Sequence, residues 1–264
     1  MSGTLNKAVL NISIDLDAVP ADQSLTERRS LVTLVDRLLE QFARHHLPAT
    51  WSLGEPSTAM ATQRILAVRG GHEIGLLIAP PSSVPSSSAP LADRVAAQDV
   101  ARRLLAARQL GIRVDTLALA AGDVSQHAAL AVKHTLVALR HAAIDGTSRP
   151  RMPAAALRFG LWSFPVTSQL PGTSRWLPGG GGGRTLRALI EHAIHATGLV
   201  TLVIDGPRLA ARGSAAQRTV AGVLAHAARR QRQGLLEVAT IGATAKRLAS
   251  RYESAPSRSI LRAA

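Results

Sequence analysis

The sequence predicts an α/β protein in which parallel strands are covered by helices, and three observations carry that reading. Short apolar runs alternate with amphipathic stretches along the chain, which is the pattern of repeated strand–helix units. The run Val9 to Leu16 reads as a buried strand that delivers two acids, Asp15 and Asp17, at its end. The length of 264 residues and the 46% hydrophobic content supply one large domain with a sizeable core. The domain is expected over residues 1–253, with a basic flexible tail at 254–264.

The elements follow in order. After the first strand, Thr26 and Glu27 precede Leu31, Leu34, Val35, Leu38, Leu39 and Phe42, which are spaced for one helical face that ends by Pro48. Ala49 to Leu53 reads as a strand, Ser57 as the cap of a helix to about Val68, and Glu73 to Ile78 as a third strand after Gly70-Gly71. The Pro- and Ser-rich segment 79–90 reads as an exposed loop after a strand end. The spacing then predicts helix 93–110, strand 116–120, helix 125–140 and a short strand at 142–145. Residues 150–171 hold two or three short β segments, including 157–159 and 161–166. Beyond the Gly-rich turn 178–184, the pattern predicts helix 185–197, strand 199–204, helix 215–233, strand 235–239 and helix 241–252.

Composition narrows the function classes. No run approaches twenty apolar residues, so no membrane-spanning helix is expected. The first nine residues hold no apolar core or cleavage site, and the expected compartment is the cytoplasm. Cysteine is absent, which excludes disulfides and thiolate metal sites. The net charge of +14 invites a polyanion. The arginines are scattered along every helix, however, and aromatic residues are only 3%. Specific nucleic-acid binding is therefore not expected.

Successive strand side chains point to opposite faces, so Asp15 and Asp17 share one face. In parallel α/β folds, functional groups gather at the carboxyl ends of strands, which is where this pair lies. The plainer alternative is helix capping by Asp17. Among the histidines, His127, His134 and His141 recur every seven residues on one predicted helix face, about 10 Å apart, too far to share an ion. His72 reads as a packing residue, and His192 and His195, three apart in mid-helix, as at most an adventitious metal pair far from Asp17 in chain order. The glycine run 179–183 opens a helix but lacks the lysine and spacing of a phosphate-binding loop.

Six segments then occur in a meaningful order. They are Ser13-Ile14-Asp15-Leu16-Asp17-Ala18-Val19, Leu47 to Gly54, Gly71-His72-Glu73-Ile74-Gly75, Gly160 to Pro165, Gly179 to Arg184 and Glu237 to Ile241. With these motifs the chain resembles the NodB-type polysaccharide deacetylases, in the branch that has Asp-x-Asp. The resemblance implies a distorted (β/α) barrel of about seven parallel strands. It implies Asp15 as general base and Asp17 as ligand of a divalent, zinc-like metal. It also implies two histidine ligands spaced four apart, where this chain has Leu77 and Pro81. Neither side chain has a lone pair to offer. The Arg-Pro motif that orients the family's site is replaced by Leu117 to Gly122, and the general-acid position by Asp205.

Trp51, Asp145 and Trp162 are candidate sugar-cleft residues, although buried packing is the better reading of each tryptophan. The resulting expectation is a catalytically impaired deacetylase-like protein without a cofactor, binding carbohydrate or a partner protein. An active amide hydrolase of N-acetylated carbohydrate, using Asp15, Asp17 and further ligands, is the alternative; a weak nucleic-acid binder is the reserve.

Overall fold

The computed structural model describes residues 6–16, 25–57, 60–68, 70–78, 89–120, 124–142, 154–171 and 181–254. The strands are β1 (Ala8–Leu16), β2 (Thr50–Leu53), β3 (Glu73–Ile78), β4 (Val114–Leu119), β5 (Ala138–His141), β6 (Ala155–Ala156), β7 (Trp162–Pro165), β8 (Ser168–Leu170), β9 (Leu199–Asp205) and β10 (Leu236–Ala239). The helices are α1 (Leu25–His45), α2 (Met60–Ala67), α3 (Ala89–Gln109), α4 (Val124–Lys133), α5 (Gly181–Ala196), α6 (Gly206–Arg232) and α7 (Ile241–Ser254).

One sheet runs in the order β6-β7-β5-β4-β3-β2-β1-β9-β8, and every pairing in it is parallel except β6 with β7. β10 pairs with β1 over Ala8 to Asn11, while β2 takes β1 over Ser13 to Leu16. The expected distorted, incompletely closed barrel is thus present, with ten strands among the described residues. β6 and β8, of two and three residues, are too short for a period to declare itself.

β1 sorts the two layers. Leu10, Ile12, Ile14 and Leu16 join the core beneath α1, α5 and α6, where Leu34, Leu38 and Phe42 of α1 meet Leu186, Leu209 and Leu224. Each such burial is worth about 1.5–3 kcal/mol. The alternate residues Asn11, Ser13 and Asp15 turn to the inner face. That inner face is closed at the strands' amino ends by α7, whose Ile241, Ala245 and Leu248 pack on Val9, Ala138, Trp162 and Leu199. Polar ties fix this plug. The Asn11 amide donates to the Ala239 and Thr240 carbonyls and to Thr244, and the Glu73 carboxylate accepts from Gly242 N–H and from the Thr116 hydroxyl. Burial pushes the Glu73 carboxyl above its ordinary pKa, against the pull of these donors at a helix N-terminus.

Several boundaries correct the sequence reading. The helix expected over 125–140 stops at Lys133, and the strand expected at 142–145 occupies Ala138–His141. The turn between them passes through Thr135 at φ 59. His127, His134 and His141 therefore lie on a helix, a turn and a strand rather than on one helix face. The helix expected to start at 215 starts at Gly206, with Asp205 as its N-cap and a break at Gly213. The helix expected from Ser57 begins at Met60, and residues 158–160 form a 3-10 turn, not a strand. The 79–90 loop falls almost wholly, and the tail from 255 wholly, outside the described residues.

Candidate functional site

The carboxyl ends of the strands form a mouth, and Asp15 stands in it. The register sets Asp15 level with Ser52 on β2 and with Asp205 on β9. The Asp15 carboxylate accepts a 2.9 Å hydrogen bond from Arg140 Nη2, and the Arg140 side chain is 1% exposed. Arg140 sits on β5, level with Ala118 of β4 and Phe164 of β7. Its side chain crosses the inner face from β5 to reach Asp15 on β1. Beneath Asp15, the Ser13 and Ser52 hydroxyls lie 3.2 Å apart. Arg140 Nε, Asn11 Oδ1 and Thr201 Oγ1 are buried without a partner among the described residues, so the inner face offers polar atoms as well as apolar walls.

Leu77, at the first expected histidine position, lies on the inner face of β3 beside Ala118, 3% exposed. Asp17, Pro81 and Asp145 lie outside the described residues. Asp205 is at the rim. One of its oxygens accepts from Arg208 N–H at 3.0 Å, and the other meets the Arg208 guanidinium at 3.1 Å and the Gln169 amide at 3.4 Å. Every one of these partners is a donor, the environment of a helix cap.

Two proposed cleft residues are placed elsewhere. Trp51 is fully buried on the helix-facing side of β2, with edge-to-face contacts to Phe42 and His72 at 6.0 and 5.9 Å. Trp162 packs against the α7 plug, at the end away from the mouth. His72 completes the Trp51 cluster, and its Nδ1 accepts from Ala49 N–H at 3.2 Å, a packing role as read from the sequence. His141 alternates with Arg140 and so faces outward, where it meets Ser163 at 2.8 Å. His192 and His195 lie exposed on α5.

Arg140 is the residue the sequence reading missed. The predicted helix over 125–140 absorbed it. The apolar run Leu136-Val137-Ala138-Leu139, right after the Lys133-His134-Thr135 turn, is the signal of a strand delivering an arginine.

No family model and no curated protein sequence matches the chain. Solved structures do. A candidate polysaccharide deacetylase from Mycobacterium smegmatis superposes with a TM-score of 0.68 at 15% identity, over 96% of this chain and 94% of that one. The fold is that of the polysaccharide deacetylases. PuuE allantoinase aligns with a TM-score of 0.58 at 13% identity, over 93% of this chain and 92% of its own. A CE4 esterase of Streptococcus mutans aligns with a TM-score of 0.51 at 13% identity, over 90% and 87%.

Within that deacetylase fold, a divalent ion does not fit the described donors. Among the described residues, no three His, Cys, Asp or Glu side chains stand together. Leu77 supplies no lone pair, and Asp17, the expected carboxylate ligand, lies outside the described residues. The arrangement pairs a partly exposed carboxylate with a buried cation at the mouth, above two buried hydroxyls.

Proposed function

We propose that this chain is a polysaccharide deacetylase-like protein impaired in deacetylation, whose mouth serves as a binding site for a glycan, or for a partner protein that uses the same groups. The observation that carries the reading is Leu77, which stands buried on the inner face of β3 at a position where the resemblance places a histidine ligand. Metal-assisted hydrolysis needs donors that can hold the ion, and a leucine side chain has no lone pair to give. The partly exposed Asp15 carboxylate can accept from a hydroxyl of a glycan at the mouth.

The test pairs metal analysis of the dialysed protein with an acetate-release assay on N-acetylglucosamine oligomers, with zinc, cobalt or manganese added. The expected result is less than stoichiometric metal and no turnover, with calorimetric oligomer binding that weakens in Asp15→Asn. One ion per chain together with turnover abolished by Asp17→Ala would overturn the proposal in favour of an active amide hydrolase.

A further inference from the structure

We propose that the end of the barrel opposite Asp15 is a docking face for anionic phospholipid membrane, independent of the mouth. The fold itself sorts charge toward that end. The helices that return between parallel strands point their carboxyl ends toward the strands' amino ends, and six of the seven described helices carry an arginine or lysine in the last turn. Favourable interaction with the helix dipole accounts for one such residue per helix. It does not account for the rest of this end. Arg113 lies in the turn into β4, and Lys246 lies on the exposed side of α7, the helix that crosses the barrel floor. Both converge on Asp115, at 3.0 and 2.5 Å, so two cations share one acid. Arg108, reaching across to the His134 carbonyl, and Lys133 extend the same basic patch toward β5. Arg232, in the last turn of α6, adds a further cation at this end.

Two large aliphatic side chains project from the same end. Leu110, in the α3–β4 turn, is 62% exposed, and Leu235, in the α6–β10 turn, is 45% exposed. Each is flanked by the cations just named. This combination decides between polyanions. A nucleic-acid duplex rewards the cations and has no use for the leucines, and neither turn offers an aromatic ring for a base to stack on. An anionic bilayer uses both: phosphates meet the cations while leucine side chains enter the headgroup–acyl boundary. Among the described residues no helix is long and apolar enough to cross a membrane. The contact is therefore peripheral, and the mouth with Asp15 faces away from the lipid.

The experiment is co-sedimentation of the full chain with vesicles of phosphatidylcholine alone and with an equal share of phosphatidylglycerol. The protein is expected to sediment with the anionic vesicles only, and to be released as salt rises. The double variant Lys133→Glu/Arg232→Glu should partition at least about tenfold more weakly, and Leu110→Ser/Leu235→Ser several-fold more weakly. Arg218→Glu, about 20 Å from Arg232 along α6, should bind as the parent does. Thermal melts confirm that each variant is folded. Absence of sedimentation with the anionic vesicles, or sedimentation unchanged by the Lys133 and Arg232 reversals, overturns the proposal. So does binding of duplex DNA through these same residues at physiological salt without vesicle binding.

Discussion

Asp15 on β1 and Arg140 on β5 lie 125 residues apart in sequence and are joined at 2.9 Å inside the barrel mouth. The guanidinium is almost wholly buried, so it depends on its carboxylate partner. Breaking such a pair from one side leaves an uncompensated charge, a loss of about 3–5 kcal/mol, whereas removing both charges costs far less. Asp15→Asn and Arg140→Met should each lower stability by about that amount, and the double variant should recover most of it. Urea denaturation of the four proteins measures the coupling. Additive losses would mean that the two side chains do not act as a unit.

The end of β1 is held by a close approach that only glycine allows. A Cβ on Gly206 would lie 2.5 Å from Leu16 Cδ2 and 2.9 Å from the Asp15 carbonyl oxygen. Gly206→Ala must therefore push α6 away from β1. The expected cost is about 1–3 kcal/mol, read as a lowered urea midpoint. Glycan binding at the mouth should weaken as well, because the displaced carbonyl belongs to Asp15. An unchanged midpoint would show that the junction yields freely.

Much of this architecture was legible in the sequence, and the limits are instructive. β1 and β9 are long, largely apolar runs with an acid at or next to their carboxyl ends, so their place and direction could be read from the pattern. The order of six motifs led to the deacetylase fold. The third quarter of the chain resisted. β5, β7 and β8 are four residues or fewer, and the Ala-rich stretch from Val124 satisfies a helical period as readily as it does a helix, a turn and a strand. Tertiary pairing of β5 with β4 and β7 decides that contest, and it carries Arg140 into the mouth. Trp51 failed as a cleft candidate for a simpler reason. A four-residue strand does not reveal which of its faces looks inward until its register is known.

α6 is broken at one residue. Gly213 has φ 69 and ψ −161, a conformation essentially restricted to glycine, and a Cβ there would meet nothing within 4 Å. The cost of Gly213→Ala is thus backbone strain alone, about 1–3 kcal/mol. A melting temperature lowered without any change in glycan binding is the expected outcome. A neutral substitution would mean that α6 straightens to accommodate alanine.

Stability should also fall in mild acid, in part through His72. The ring is wedged edge-on between Phe42 and Trp51, and its Nδ1 accepts from Ala49 N–H, so the neutral ring carries its proton on Nε2. Burial holds the pKa of His72 below its ordinary 6.5. The unfolded chain therefore binds this proton more readily than the folded one. Its contribution is complete above pH 6.5 and declines as pH falls below that value toward the folded pKa. His45, His134, His141 and His226 are depressed in the same direction, each chiefly by burial, and add to the slope. His72→Gln removes one titrating group while keeping an acceptor for Ala49. The variant should be less stable than the parent at pH 8, where ring packing is lost, yet its urea midpoint should fall less steeply between pH 6.5 and the acid limb. Parallel pH profiles for the two proteins would show that His72 does not titrate in this range.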